Sequence, residues 1–225
     1  MDLVEAINKR KSIRAFKPDP VPKEVLQELM ELALRAPSWA NTQPWEFAIA
    51  SGTKLDEIRQ GFIDRVDKDF SPDLARPHGF PEPFNSRRRA LSKRDSEKLK
   101  QDDEEGERWR RLQGSKLYGA PCVIYICTDR SFYIQGDSLN VWPIFDCGLI
   151  AENIMLLAVK FGLGTVPAIQ TAKYPEVLRK VLGIPDSKLI VIGIAIGYPD
   201  WDFALNQVFT PREPLDSVAK WYGFS

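Results

Sequence analysis

The sequence predicts a mixed helix-and-strand fold, α/β or α+β, and two observations carry that prediction. Residues 122–127 (Cys-Val-Ile-Tyr-Ile-Cys) and 189–196 are short, near-continuous apolar runs of the kind that form strands buried on both faces. Around them lie segments with helical apolar spacing, most clearly at 25–33 and 146–161.

Each element follows in order. Leu3, Val4, Ala6 and Ile7 predict a short opening helix ending near Lys9. A second helix should begin at Pro22, whose fixed φ suits a first helical turn, with Val25, Leu26, Leu29, Met30, Leu32 and Ala33 on one stripe. It should stop before Pro37, because the residue preceding a proline avoids the helical region. Residues 45–50 read as a strand, Ser51-Gly52 as a turn, and Leu55, Ile58, Phe62 and Ile63 as the apolar side of a short helix. Residues 65–112 break the pattern with Pro72, Pro77, Pro81, Pro83, the only histidine (His78), Arg87-Arg88-Arg89 and Asp102-Asp103-Glu104-Glu105. They predict an excursion from the core, a loop with a polar helix, which is either a solvated surface insertion or a lid. The core resumes at Pro121 with the first apolar strand. The helix at 146–161 has Asp146 near its start and Gly162 just past its end. Leu149, Ile150, Ile154, Met155, Leu157, Ala158 and Phe161 cover so much of its circumference that it belongs in a large core or against a partner subunit. A strand at 165–169, a helix near 175–182 and the second apolar strand follow, and no internal repeat is found. The chain is read as one domain, 1–225, carrying the variable insertion.

Composition narrows the function classes. With 225 residues and 44% apolar content the chain can bury a sizeable core. Its 31 basic and 31 acidic residues cancel, so no general grip on nucleic acid or acidic membrane is expected. No run reaches the roughly 18 continuous apolar residues of a spanning helix. The first residues show no basic leader followed by an apolar block. Three cysteines (Cys122, Cys127, Cys147) are too few and odd in number for a disulfide framework and fit a reducing cytosol. The expectation is a cytoplasmic protein with no nucleic-acid or membrane partner.

One histidine and three cysteines offer no recognisable metal spacing. A Ser-His-Asp or Cys-His centre would have to use His78, and no Gly-x-Ser-x-Gly elbow is present. Gly162-Leu163-Gly164 is half a dinucleotide fingerprint, but Pro167 stands where a helix should open. What remains are polar groups suited to a planar, phosphorylated ligand. In an extended run, Arg10, Ser12 and Arg14 fall on one side and offer two guanidinium forks and a hydroxyl to a phosphate and a carbonyl oxygen. The alternative is a cationic cluster at a helix C-terminus. At 36–45, Pro37 and Pro44 fix the backbone while Ser38, Asn41 and Gln43 supply hydrogen-bonding groups, either to read a ring edge or as ordinary turn chemistry.

Taken together, Arg10-Lys11-Ser12-Ile13-Arg14-x-Phe16 and Ala36-Pro37-Ser38-x-x-Asn41-x-Gln43-Pro44-Trp45 resemble the FMN-dependent nitroreductase family. The resemblance extends through Gly162-Leu163-Gly164-Thr165-Val166-Pro167, Gly197-Tyr198-Pro199 and Pro211-Arg212-x-Pro214-Leu215, and omits about 65–112. It implies an α+β, three-layer α-β-α fold with a central mixed sheet flanked by helices, and an interlocked homodimer with FMN at the interface. It implies that Arg10 and Arg212 hold the FMN phosphate beside Ser12. Arg14 should stand at the N1/O2 edge of the ring, with Lys116 adding charge and Gln113 bonding the ring. Pro37, Ser38 and Asn41 should serve the site of the other subunit. The turn Pro167-Ala168-Ile169-Gln170 should present a backbone N–H, that of Ile169, to N5. Lys11 and Trp39 belong to the same segments. Lys11 keeps a cation where relatives often have His or Arg; Trp39 is larger than usual and would narrow the pocket or pack on the insertion. Thr210 stands where some relatives have a second basic phosphate ligand. The implied activity is transfer of electrons from NADPH or NADH through FMN to a nitroaromatic, quinone or similar acceptor by a ping-pong mechanism. Phe80, Phe84 and Trp109 of the insertion would stack on the acceptor, and Arg87, Arg88 or Arg89 would meet an acidic substituent. The alternatives are specialised flavin chemistry (reductive dehalogenation, flavin fragmentation, substrate dehydrogenation) and a non-enzymatic flavin-binding protein.

Overall fold

The computed structural model describes residues 1–69 and 71–224; residue 70, within the insertion, and residue 225 lie outside the described residues. In chain order the elements are α1 (Leu3–Lys9), α2 (Lys23–Ala33), β1 (Glu46–Ser51), α3 (Gly52–Ile63), α4 (Phe84–Leu99), α5 (Asp103–Ser115), β2 (Cys122–Asp129), the single turn α6 (Arg130–Tyr133), the small hairpin β3 (Ile134–Gln135) and β4 (Ser138–Leu139), α7 (Trp142–Lys160), β5 (Gly164–Ala168), α8 (Pro175–Leu182), β6 (Lys188–Gly197) and α9 (Leu215–Val218).

β2 organises the molecule, because seven of its eight residues are buried. It pairs antiparallel with β1 on one side and β6 on the other, and β6 carries β5 in turn, giving the order β1-β2-β6-β5. Parallel character enters at the outer edge of β5, where Ser12 forms a parallel bridge to Thr165 and the Ile13 N–H donates to Thr165 O at 2.9 Å. Alternate side chains of β2 feed two cores. Val123, Tyr125 and Cys127 pack with Leu55, Ile58 and Phe62 of α3 and with Val177 and Leu178 of α8. Cys122, Ile124 and Ile126 pack with Leu26, Leu29 and Ala33 of α2 and with Cys147, Ile150, Ile154 and Ala158 of α7. Helices on both faces of a sheet make the three-layer α+β arrangement, and burial on both faces is why β2 reads as an unbroken apolar run.

Three boundaries differ from the sequence reading. α7 starts a turn earlier, at Trp142, with Pro143 in its first turn, so Asp146 lies inside the helix. By length and composition alone α7 would pass for a membrane span, yet eight of its residues, Asp146 among them, are buried within the fold. Ser51-Gly52 is no separate turn: Gly52, with φ +54°, takes the chain straight from β1 into α3. The stretch at 65–112 contains two helices rather than one, α4 and α5, which turn at Lys100 in a left-handed conformation. The Asp102 side chain caps α5 by accepting from the Glu105 N–H at 2.7 Å. The three cysteines are buried and unpaired, and burial pushes each thiol up to about 12.

Candidate functional site

The segment 12–17 lies extended along β5, held by the Ile13 bond and by Lys17 N donating to Tyr198 O at 2.8 Å. Side chains there alternate. Ile13 points inward and packs so closely on Gly164 that a Cβ at 164 would stand 2.5 Å from its Cγ1. Ser12 and Arg14 point the other way, into a cleft. The Arg14 N–H donates to Asn206 Oδ1 at 2.7 Å, and Nδ2 of the fully buried Asn206 donates to Ala15 O and Asp200 O at 2.8 and 2.7 Å.

The cleft has two adjoining lobes that share Arg14, Trp109 and Tyr118. One, of about 430 Å³, adds Arg59, Gln113, Lys116 and Phe203; the other, of about 290 Å³, adds Ser12, Arg110, Pro167, Ala168 and Gln170. Its floor is the turn at 116–120, where Leu117 and Tyr118 hold φ of +54° and +57°. Left-handed non-glycine residues cost on the order of 1–2 kcal/mol each, so something must hold them. Arg59 does so, donating to Lys116 O and Ala120 O at 3.0 Å each while pairing with Asp56. The opposite wall is the turn at 167–170. Thr171 Oγ1 secures it by donating to Ala168 O at 2.6 Å, and α5 approaches it so closely at Gly114 that a Cβ there would lie 2.6 Å from Gln170 Cβ. Trp109 stacks on Phe203 with ring centroids 5.7 Å apart and planes 19° off parallel. Burial pushes the Tyr118 phenol up, and the nearby Arg14 guanidinium opposes the shift.

Ser12, Arg14, Gln113, Lys116, Pro167, Ala168, Gln170 and Trp109 therefore converge on one cleft, with Ile169 exposed at its turn. Other expected residues lie elsewhere. Arg10, the C-cap of α1, already has an extended backbone (φ −60°, ψ +123°), but it lines neither lobe, and its Nε lies 3.7 Å from Glu152 Oε1. Lys11 faces away from the cleft into a separate cavity of about 380 Å³, its ammonium 4.1 Å from the Phe209 ring centroid and 5.1 Å from that of Trp201. Burial lowers its pKa. Arg212 is exposed and folded onto its own backbone, donating to Thr210 O and Pro211 O. Thr210 Oγ1 accepts from Arg94 at 3.3 Å. Phe80 and Phe84 are exposed beside the Arg88 and Arg87 guanidinium groups, outside the cleft, so of the three insertion aromatics only Trp109 reaches it. Arg87 pairs with Glu213 and Arg89 with Glu82, while Arg88 borders the cleft with its guanidinium over Phe80.

The loop with Pro37, Ser38, Trp39 and Asn41 stands apart from the cleft of its own chain. Ala40, Asn41 and Gln43 hold φ of +48°, +57° and +46°. Ser38 Oγ accepts from the Gln43 N–H at 3.0 Å, and Trp39 N–H donates to the buried carboxylate of Asp146 at 3.1 Å. This is what Asp146 does in the helix interior. Beside it Trp39, Trp142 and Phe145 form an exposed aromatic face.

Sequence reasoning missed Tyr118, Arg59, Phe203 and Asn206, since each acts through tertiary contact; the one local signal was Tyr118-Gly119 before Pro121. Among the described residues no three of His, Cys, Asp or Glu gather in one place. The donor set suits an extended ring that gains electrons. Arg14 and Lys116 supply positive charge at one edge, Gln113 and Gln170 supply hydrogen bonds, and Trp109 and Tyr118 supply aromatic surface. The ring portion of FMN fits these donors, whereas Arg10 and Arg212 are not gathered for its phosphate within one chain.

The nitroreductase family model matches residues 7–198. Nitroreductase NfnB of Mycolicibacterium smegmatis is 30% identical over 233 residues, covering 98% of this chain and 94% of the relative. A 4-nitrobenzoate reductase of Pseudomonas putida is 25% identical, covering 99% of this chain and 96% of its own. The crystal structure of an FMN- and NADPH-dependent nitroreductase NfnB from Sphigopyxis sp. strain HMH superposes with a TM-score of 0.91 at 30% identity, covering 100% of both chains.

Proposed function

The chain belongs to the nitroreductase family, and from that membership we propose that it is an FMN-dependent oxidoreductase passing electrons from NADPH or NADH to a nitroaromatic or quinone acceptor. The observation that carries this reading is the convergence of Arg14 and Lys116 on an aromatic-walled cleft closed by the 167–170 turn.

FMN, when bound, supplies the hydride and electron transfer between donor and acceptor. The chain supplies everything else. Arg14 and Lys116 hold negative charge at the N1/O2 edge, which favours uptake of electrons. Gln113 would bond the ring, and the turn at Pro167, Ala168, Ile169 and Gln170 would offer the Ile169 N–H to it. Ser12 would hold the ribityl and phosphate portion. Donor and acceptor use one face in turn, so the kinetics are ping-pong.

The site is completed in a homodimer. Asp146 holds the loop at 37–45 away from the cleft of its own chain, and the exposed Trp39, Trp142 and Phe145 are too apolar to be left in water together. In the dimer Pro37, Ser38, Trp39 and Asn41 close the partner's cleft, and Arg10 and Arg212 meet the phosphate. Lys11 steadies the segment from behind. The hairpin of α4 and α5 serves as the lid of a single domain. The buried, unpaired cysteines support a cytoplasmic setting.

The test is an absorption spectrum of the purified protein, then anaerobic titration with NADPH and with NADH, then addition of nitrobenzene. A bound-flavin spectrum bleached by a dinucleotide and restored by the acceptor is the expected result. A protein that stays colourless in excess FMN sinks the proposal.

A further inference from the structure

Behind the extended segment that turns Ser12 and Arg14 to the cleft lies the separate cavity of about 380 Å³, a volume within the range of small-ligand sites. Part of its wall is the contact that seats the segment. Ile13 packs on Gly164, and Pro199 does so nearly as closely, since a Cβ at 164 would stand 2.8 Å from Pro199 Cγ. Leu163 and Val159 extend this aliphatic wall, and Trp201 and Phe209 add two aromatic rings.

Lys11 brings a charge to this apolar space. Its ammonium lies over both rings, 4.1 Å from the Phe209 centroid and 5.1 Å from that of Trp201. Ring faces attract a cation, but they do not replace the oxygen acceptors that its three N–H groups lose on leaving water. Among the described residues no carboxylate is in ion-pair contact with Lys11. Its neighbours take the nearby acids: Lys9 pairs with Glu5 at 2.6 Å, and Arg10 lies 3.7 Å from Glu152. Burial lowers the Lys11 pKa, and no acidic group opposes the shift. One uncompensated ammonium at an apolar cavity is the complement of one anionic group on an apolar body. Lys11 already takes a face of each ring, so the walls left for that body are chiefly aliphatic.

We propose that this cavity is a second ligand site, distinct from the cleft, which takes a medium-chain aliphatic monocarboxylate. The carboxylate accepts from the Lys11 ammonium, and the chain lies against Ile13, Val159, Leu163 and Pro199.

The experiment is calorimetric titration of the FMN-loaded protein with octanoate, with octanamide as its neutral near-isostere, and with hexanoate. Octanoate should bind about 10-fold tighter than the amide, the range of a hydrogen bond to a charged group. It should also bind about 10-fold tighter than hexanoate, which buries two methylenes fewer. Lys11→Met keeps the apolar stem and removes the charge. It should erase the preference for the acid while leaving amide affinity within about 3-fold. Val159→Phe, which fills the cavity from α7, should weaken acid and amide alike by about 10-fold or more. If Lys11→Met loses its flavin, Val159→Phe carries the test. The site is overturned if octanoate does not bind, as when a second subunit covers the cavity. It is equally overturned if acid and amide bind alike, if chain length makes no difference, or if Lys11→Met keeps the preference. Undiminished octanoate affinity in Val159→Phe would place the acid elsewhere, in the flavin cleft, and sinks the site too. A protein that takes up no FMN sinks the activity proposed above, whereas octanoate binding by that same protein, lost in Val159→Phe, upholds this site.

Discussion

The backbone N–H of Arg14 donates to the side-chain oxygen of Asn206 across 192 residues of chain, at 2.7 Å. The same side chain donates to Ala15 O and Asp200 O, so one buried amide ties the cationic segment to the chain beyond β6. Asn206→Ala removes three hydrogen bonds and leaves buried backbone groups unmet, a loss of roughly 2–4 kcal/mol. For a chain of this size that corresponds to a melting-temperature drop of about 4–16 °C. FMN affinity should fall with it, because Arg14 loses its anchor. An unchanged thermal melt would show that the contact is dispensable.

Gly114 sets how closely α5 approaches the 167–170 turn. Gly114→Ala would place a methyl 2.6 Å from Gln170 Cβ and 3.0 Å from its Cγ, so helix or turn must shift. The expected cost is about 1–3 kcal/mol of stability. A larger loss of FMN affinity should accompany it, since Gln113 and Lys116 flank the displaced residue. Fluorescence titration of apoprotein with FMN measures this; wild-type affinity would mean the turn lies outside the flavin site.

How much of this was legible in the sequence depended on whether the signal was local. β2 and β6 showed as apolar runs because both their faces are buried, and α7 showed through its apolar circumference, although Pro143 started it a turn earlier than Asp146 suggested. α4 and α5 did not separate, since each buries few apolar side chains and carries little helical stripe. Parity put Ser12 and Arg14 together because that segment is extended; Arg10, although its backbone is extended too, meets Glu152 of α7 instead. Phe80 and Phe84 looked like substrate contacts by type alone, and they lie on the outside of the hairpin. Tyr118, Phe203 and Asn206 owe their places to a left-handed turn, a ring stack and a long-range hydrogen bond, none of which has a sequence period.

Cys122, Cys127 and Cys147 should be inert in the native protein. Burial raises each thiol from its ordinary value near 9 to about 12, so at pH 8 only about 10⁻⁴ of each is ionised. Iodoacetamide should label none of them before urea and all three after it. The sign for stability follows. The folded state keeps the protons that the unfolded state releases above pH 9, so this contribution is intact below 9 and is lost as pH rises towards 12. Rapid native labelling would mean that the sheet opens readily enough to expose β2.

The loop at 37–45 can be tested for the subunit it serves by mixing variants. Arg14→Gln should impair the cleft of its own chain, and Asn41→Ala should impair the cleft that its loop closes. If the loop acts on its own chain, every site in a mixed dimer carries one defect or the other, and mixing restores nothing. If it acts across the interface, the subunit bearing Asn41→Ala keeps its own Arg14 and receives an intact Asn41 from its partner. That site is fully native, while the opposite site carries both defects. Refolding equal amounts of the two variants together should therefore restore FMN binding and NADPH oxidation to roughly a quarter of the wild-type level, given random pairing and closed symmetric dimers. The geometry favours this outcome, because Asp146 holds Trp39 at the exposed aromatic face of α7 and not beside Arg14. Activity of the mixture no greater than the mean of the two parents would place the loop in cis and remove the reason for siting Pro37, Ser38 and Asn41 in the partner's cleft.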